Sequence, residues 1–466
     1  MSNNQFILYN RRKKPIVFEP SRVALYRQCE VVEAVSENND MYYLFFYNYR
    51  FLTAAKATKL KRRSFIASAL QHGMVFEAPH PFIECLFSSN QALQMKGFDT
   101  LIKELDKRYS LLEKAFILTF FESFISKKRL FEAIKAIFYI YRRSGQNFNG
   151  YQIIRILMDF APGHSFVRQM AADKSFRQYK DQYDQHDEAV LSADPVFFEK
   201  VAYANSDDNT YLQQLITHLE QSSRWIDVLA LYSIHFVKNP ATHTYDSLIS
   251  IAASHLTAHQ VTQLQEKLYQ HSPHFAPLER ALLTSYAKGN QVVHVLTMLD
   301  GLASELHDEQ YTAIREMFFR LDLQQHTLPP ALLPALIRSV TLFDQKQADE
   351  LLHTFISALL VEYEPGYMKT VLQPFMDNQS IHPVYLKLDR MDRFSNDLEQ
   401  MQALGELYDE FNQPSKAIEC FSWEMELKPD DPAPLKGLSK IYRQLGHEQE
   451  AKAYRTLLQT IQKQAR

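Results

Sequence analysis

The feature that most constrains the fold of this chain is a 34-residue period near its C-terminus. Three residue types recur one period apart, in the pairs Leu404/Leu438, Tyr408/Tyr442 and Ala417/Ala451. A period of this length accommodates two helices and two turns, and such units stack on one another in repeat proteins. The period therefore predicts a succession of helical hairpins.

Each position of the period has a physical role in a helical hairpin. Leu404 and Tyr408 are four residues apart, so they lie on one face of the first helix, where they fill the seam of the hairpin. The small Ala417 allows the second helix to approach closely, and Pro429 ends that helix. A single hairpin cannot cover its own apolar face, so neighbouring hairpins are expected.

The same spacing resembles the tetratricopeptide repeat (TPR) family. Met401-x2-Leu404-Gly405-x2-Tyr408 is followed by Ala417-x3-Phe421 and Pro429, and the resemblance implies two repeats, 398–431 and 432–465. The repeat-defining structural positions are Leu404, Gly405, Tyr408, Ala417, Phe421, Pro429, Leu438, Tyr442 and Ala451.

Helical patterns extend upstream of these repeats. Residues Asn209 to Thr242 carry a partial copy of the period, and Tyr109 to Gly145 indicates two buried helices joined near Ser126 to Lys128. We therefore predict an all-α fold: a TPR-like α-solenoid of helical hairpins, degenerate in its N-terminal and central parts. The predicted divisions are a basic, aromatic and helical region 1–110, a degenerate hairpin array 111–397 and the two repeats in 398–466.

Two interpretations of the N-terminal region are open. The aromatic run Met41 to Phe51 fits a strand paired with Arg22 to Val35 across the turn SENND. Yet no glycine or proline lies between Ser21 and Gln71, and Leu25, Cys29 and Val32 also fit a helix. Because the rest of the chain indicates helices, we favour the helical interpretation.

Charge and cysteine content limit the class of protein. The net charge of −3 over 466 residues predicts neither a nucleic-acid binder nor a membrane-surface protein for the chain as a whole. Met1 to Arg63, however, holds twelve Lys and Arg against five Asp and Glu, a local charge of +7. Three widely separated cysteines predict buried thiols in a reducing compartment, and no apolar run is long enough for a membrane span. We expect a cytoplasmic protein without a membrane partner.

Motifs for catalysis are missing from the sequence. It contains no G-x-x-x-x-G-K-[ST], G-x-G-x-x-G, G-x-S-x-G or H-E-x-x-H, which predicts a non-enzyme with no catalytic residue, cofactor or metal. His255 and His259 have zinc-ligand spacing on a helix, but a third ligand is not evident, so ordinary histidines are favoured. The carboxylates of Asp181 to Glu188 are interpreted as a solvated surface rather than a cation site.

The TPR resemblance implies where a partner binds. In that family the first helices of the repeats line a concave groove that takes extended peptides or partner helices. The corresponding candidate positions here are Gln402, Glu406, Asp409, Lys436, Lys440 and Arg443. Either these side chains hold a ligand, or the acidic and basic faces pair with each other across the seam between repeats.

The predicted function is that of a non-catalytic TPR-like adaptor or scaffold, which binds a protein or peptide partner in its groove. An alternative is a peptide-sensing regulator whose basic segments, Arg11 to Lys14 and Lys56 to Arg63, contact nucleic acid. A further alternative is an enzyme with an unfamiliar site in the central region, which requires a pocket with converging titratable groups.

Overall fold

A mixed sheet occupies the N-terminal region, where helices were favoured. The computed structural model describes residues 5–56, 60–90, 93–301, 305–321 and 328–464. Its strands are β1 (Phe6–Tyr9), β2 (Pro15–Tyr26), β3 (Cys29–Ser36), β4 (Met41–Tyr47), β5 (Arg50–Lys56), β6 (Met74–Glu77) and β7 (Leu93–Gln94). The order across the sheet is β5-β4-β3-β2-β1-β7, and β6 pairs with the second half of β2. β1 and β7 run parallel, while the other neighbours are antiparallel.

The all-α prediction is therefore wrong for this region, and the hairpin alternative is confirmed. β3 pairs with β4 in the register Cys29↔Tyr47 to Val35↔Met41. The turns do not use glycine: Arg27 and Tyr49 have φ values of 56° and 64°, in the left-handed region that usually favours glycine. The lack of glycine was thus a misleading sign of helix.

Burial on both faces removed the alternation that identifies a strand. All but one residue of β3 are buried, and so are Val23, Ala24 and Leu25 near the end of β2. Leu25, Cys29 and Val32 are therefore apolar because the strands have two covered faces, and their helical spacing has no structural meaning.

Helices lie between the last strands and after them in the same part of the chain. They are α1 (Phe65–His72), α2 (Pro81–Ser88), α3 (Phe98–Arg108), α4 (Leu111–Leu118), α5 (Lys127–Arg143), α6 (Asn147–Phe160), α7 (Ser165–Ala171), α8 (Arg177–Asp184), α9 (Glu188–Ala193), α10 (Pro195–Ala204), α11 (Asn209–Gln221), α12 (Trp225–Lys238), α13 (Thr242–His255) and α14 (Ala258–His271). The two helices predicted in Tyr109 to Gly145 are confirmed as α4 and α5, and the partial copy of the period forms α11 and α12. The core joins the sheet to these helices: the rings of Phe45 and Phe121, for example, have centroids 4.8 Å apart.

From Pro273 onward the described residues form helices without strands. These are α15 (Ala276–Lys288), α16 (Val292–Gly301), α17 (Asp308–Arg320), α18 (Leu333–Val340), α19 (Gln345–Leu359), α20 (Pro365–Leu372), α21 (Ile381–Phe394), α22 (Met401–Glu410), α23 (Pro414–Leu427), α24 (Pro432–Gln444) and α25 (Glu448–Gln464). The chain divides into two compact units at Ser272/Pro273, inside the region 111–397 that was predicted as one array.

Two further predictions concern the chain as a whole. The three cysteines are buried free thiols, as predicted. Across the described ranges, no helix combines the length and the apolar character needed to cross a membrane.

Candidate functional site

The last four helices form the two hairpins that the 34-residue period predicted. α22 and α23 make the first hairpin, α24 and α25 make the second, and α22 also packs against α24. Pro429 follows the end of α23, and Tyr442 is half-buried against Tyr454, with ring centroids 5.5 Å apart. The remaining repeat-defining side chains are buried: Leu404, Tyr408, Ala417, Phe421, Leu438 and Ala451.

Phe421 of α23 is held between two glycines on neighbouring helices. A Cβ atom built on Gly405 of α22 would lie 2.7 Å from one edge of the Phe421 ring. One built on Gly437 of α24 would lie 2.7 Å from the opposite edge. Real Cβ contacts are not that short, so the two glycines provide the space in which α23 sits close to both helices.

A buried carboxylate fixes the start of α22. Glu424 of α23 is almost fully buried, and its Oε2 accepts the backbone N–H of Gln402 at 3.3 Å. Its Oε1 accepts a hydrogen bond from Lys428 Nζ at 2.6 Å. A carboxylate next to unpaired N–H groups at a helix N-terminus is favourable. This contact sets the position of the face that carries the candidate residues.

Several of the candidate groove residues satisfy one another. Lys440 Nζ lies 2.5 Å from Asp409 Oδ2, so an ion pair joins α24 to α22. Gln402 donates to Glu406 Oε1 at 2.7 Å along α22. The pairing alternative across the seam is thus realised for Lys440 and Asp409.

Two cations of the predicted set remain available. Lys436 and Arg443, on α24, are exposed, and neither forms a salt bridge with a carboxylate in the described part of the chain. They are placed on either side of the paired Lys440 along the helix. The structure therefore divides the six predicted positions into an internally paired group and two free cations.

Trp423 of α23 is not buried in the hairpin. Its side chain is 53% exposed, and Leu427, one turn further along α23, is 50% exposed. These side chains form an apolar strip on the second helix of the hairpin.

The candidate metal sites do not assemble. His255 ends α13, where it stacks on Trp225 with ring centroids 4.8 Å apart, whereas His259 belongs to α14. The expectation that they share one helical face is wrong, because Thr257 caps a new helix between them. Asp187, from the acidic segment, caps α9 by accepting the N–H of Ala189 at 2.8 Å. Within the ranges that the structure describes, no group of three or more His, Cys, Asp or Glu could hold a metal ion.

The basic N-terminal segments have different surroundings. Arg11 to Lys14 form an exposed turn between β1 and β2. In the second segment, Lys56 pairs with Asp40 at 2.6 Å and Lys61 donates to a backbone carbonyl, while residues 57–59 lie outside the described residues. The aromatic side chains of β4 are buried in the sheet and so do not offer faces for stacking bases. The nucleic-acid alternative thus depends on contacts of the basic side chains with phosphates.

The first unit contains a buried ionic network that was not predicted from the sequence. Arg224, which is 3% exposed, donates to Glu199 Oε1 at 2.5 Å and to Asp227 Oδ1 at 3.1 Å. It also donates to the carbonyl of Arg27 in the turn between β2 and β3. Tyr49, in the turn between β4 and β5, donates to Asp227 Oδ2 at 2.8 Å. The network therefore joins two turns of the sheet to α10 and α12.

Glu30 of β3 adds a third buried carboxylate beside Arg224, since its Oε2 accepts the N–H of Tyr49 at 3.1 Å. Burial and the nearby charge of Asp227 raise the pKa of Glu30 well above its ordinary value. Burial acts to lower the pKa of Arg224, but Asp227 and Glu199 raise it, so the guanidinium stays charged. Among the described residues, Glu30 Oε1 has no hydrogen-bond partner, so no hydrogen bond at that oxygen offsets the cost of ionising the buried carboxyl. The available signal was Asp227, an isolated acid in the apolar stretch from Trp225 to Tyr232.

No protein-family model matches this chain, and no curated protein matches it significantly. The resemblance to the TPR family consequently depends on the residue spacing within 398–465.

Proposed function

We propose that this protein is a non-catalytic cytoplasmic adaptor of TPR type, whose C-terminal hairpins bind an acidic segment of a partner protein along α24. The observation that carries the proposal is the pair of exposed cations Lys436 and Arg443 on one helix, which form no salt bridge with the residues that the structure describes. A cytoplasmic location is supported by the three buried free cysteines, which are typical of a reducing compartment.

The spacing of the two cations selects a pattern in the partner. They are seven residues apart on a helix that rises 1.5 Å per residue, which separates them by about 10 Å along its axis. A peptide in the polyproline-II conformation covers about this distance in three residues, and its side chains return to the same side after three residues. The expected ligand is therefore an extended segment with two acidic residues separated by two others.

The ion pair between Lys440 and Asp409 supports this specificity. Because Asp409 already neutralises Lys440, the positive charges of α24 left for a ligand are those of Lys436 and Arg443, on either side of that pair. A segment with a single central carboxylate would gain less than one with two spaced carboxylates. Acidic residues thus set the register of the bound segment.

The test is selection of a displayed random-peptide library on the full chain, followed by fluorescence anisotropy with the enriched peptides. We expect enrichment of acidic residues three positions apart and binding that weakens as salt is added, because the contacts are exposed charges. The double variant K436A/R443A is expected to bind such peptides at least tenfold more weakly.

A matched control is the double variant K452A/R455A, which removes two exposed cations from α25. It has the same change in net charge, so it reports the general electrostatic effect alone. Equal weakening in both double variants, or enriched peptides without acidic residues, would contradict the proposal.

A further inference from the structure

A cavity in the first unit lies at the meeting point of several elements. The turn between β2 and β3, the start of α1, the end of α4, α6 and α10 surround it, and its volume is about 310 Å³. Small-molecule sites in proteins begin at this size. Arg63 and Asp159 are exposed lining residues, so the cavity opens to solvent beside them.

Aromatic side chains form much of the wall. Phe116, Phe160 and Phe197 line the cavity from three different helices and are otherwise buried, and Phe65 lines it from the first turn of α1. Flat apolar surfaces of this kind favour a ligand with an aromatic body.

The carboxylates that line the cavity already have partners. Both oxygens of Asp159 lie 2.7 Å from Lys200 Nζ. Asp194 accepts hydrogen bonds from the hydroxyl of Tyr183 at 2.6 Å and from the N–H of Phe197 at 3.0 Å. Glu122, the third lining acid, accepts the N–H of Phe65 at 2.9 Å and pairs with Lys127 at 3.3 Å.

The guanidinium groups that line the cavity lack such partners. Arg27, Arg63 and Arg155 form no salt bridge with any carboxylate of the described residues. Arg155 is held in place by stacking, with its guanidinium 4.7 Å from the ring centroids of both Tyr183 and Phe197. Arg27 lies over the ring of Tyr26 at 5.1 Å. The lining thus carries three guanidinium groups outside the salt bridges of the described residues, against one carboxylate, Asp194, whose hydrogen-bond partners are uncharged.

We propose that this cavity binds a small organic phosphate, specifically a phosphate monoester of an aromatic body. Guanidinium groups bind phosphate oxygens through pairs of parallel hydrogen bonds. A phosphate monoester is close to a dianion above neutral pH, so together with Asp194 it balances the three guanidinium groups, which a single carboxylate does not. The aromatic body contacts the phenylalanine walls, and the phosphate lies toward the arginines.

The test is titration calorimetry of the full chain with naphthyl phosphate at slightly alkaline pH. Three further probes separate the contributions of the phosphate, the aromatic body and a single negative charge to binding. They are inorganic phosphate, naphthol and naphthoate, respectively. We expect naphthyl phosphate to bind tightest and naphthoate more weakly, while naphthol and inorganic phosphate each bind at least tenfold more weakly than naphthyl phosphate. Equal binding of naphthol and naphthyl phosphate, or no heat of binding with naphthyl phosphate at millimolar concentration, would overturn the proposal.

Arginine variants locate the site. R63Q and R155Q are expected to weaken binding of naphthyl phosphate on the order of tenfold each, because each removes a charge-assisted hydrogen bond. R177Q, which changes an exposed arginine of α8 outside the cavity, is expected to bind like the wild type.

R155Q also removes a stacking contact, so it affects packing as well as phosphate binding. Arg63 is exposed, so R63Q tests phosphate binding without a change in the packing of the interior. Thermal unfolding of each variant shows whether it is folded. A folded R63Q that binds naphthyl phosphate as tightly as R177Q would place the ligand elsewhere and overturn the assignment.

Discussion

The charges of the first unit that matter most to its structure lie in the interior, whereas those of α22 and α24 lie on the surface. Arg224 and its carboxylate partners are almost fully buried, and their hydrogen bonds reach two turns of the sheet. Lys440 and Asp409 are joined by one contact between partly exposed side chains. A buried charge depends on partners that the fold must supply, while an exposed pair can exchange its partner for water or a ligand at small cost. The first set therefore fixes structure, and the second is suited to binding.

The largest expected effect comes from removing the central cation of the buried network. R224M is expected to lower the free energy of unfolding by about 3–5 kcal/mol, because it leaves Glu199 and Asp227 buried without their partner. Denaturant unfolding followed by circular dichroism measures the change. The control R177M alters an exposed arginine and should change stability by less than about 0.5 kcal/mol. Similar stabilities of the two variants would show that the network does not hold the sheet to the helices.

In the C-terminal hairpins, packing rather than charge is expected to control stability. G405A is expected to destabilise them by about 1–3 kcal/mol, because the added Cβ would lie 2.7 Å from the ring of Phe421. Hydrogen exchange of amides in α22 and α23 reports the loss locally. G301A, at a helical glycine with open space around it, should not increase exchange.

The double variant G405A/F421L tests the cause of that effect. If the clash with the ring is responsible, the smaller leucine should restore part of the lost protection, so the two changes should be non-additive. Additive losses would contradict the close contact between Gly405 and Phe421.

Glu30 provides a test of how the buried ionic network makes stability depend on pH. Its pKa in the folded protein is raised, mainly by burial and then by Asp227, so the folded state binds a proton more tightly than the unfolded state. Stability should therefore fall as pH rises from the ordinary carboxyl pKa toward the raised one. E30Q removes this titration, and we expect it to be more stable than the wild type at neutral and alkaline pH, on the order of 1 kcal/mol.

At pH values below the ordinary carboxyl pKa, E30Q and the wild type should become equally stable, since Glu30 is then protonated in both states. Thermal unfolding across this pH range makes the comparison. The exposed Glu37 gives the control variant E37Q, which should follow the wild type at every pH. A wild type that is more stable than E30Q at alkaline pH would mean that Glu30 is ionised in the fold.

The smallest expected effect belongs to the surface pair. D409N should change the free energy of unfolding by less than about 1 kcal/mol, and by less still at high salt. Because it frees Lys440, it should also tighten binding of acidic peptides a few fold. D430N, at an exposed aspartate that forms no salt bridge within the described residues, is the control. A large loss of stability in D409N would remove the contrast between the two sets of charges.

Structure that depends on interactions between residues close in sequence could be predicted from the sequence. The hairpins α22 to α25 could be predicted because Leu404, Tyr408 and Ala417 act within a helix or between neighbours, at spacings that the helix itself fixes. The cavity arginines had no such signal. Arg27 and Arg155 are far apart in sequence, and only the packing of β2 and α6 brings them to one cavity.

The predicted groove face contains one property that the sequence predicted and one that it did not. The positions of Lys436, Lys440 and Arg443 on one helix followed from their spacing. Which of them is neutralised depended on the distance between α24 and α22, and this distance is set by Phe421 between its two glycines.

The sequence by itself determined the helical hairpins at the C-terminus, because a periodic pattern of apolar and small residues encodes local geometry directly. Only the tertiary structure decided that the N-terminal region is a sheet. Its strands are covered on both faces and its turns place Arg27 and Tyr49 in a conformation that usually favours glycine, so neither alternation nor glycine marked them. Tertiary structure also decided which charges are buried together, since Arg224, Asp227 and Tyr49 meet only after the sheet packs on the helices.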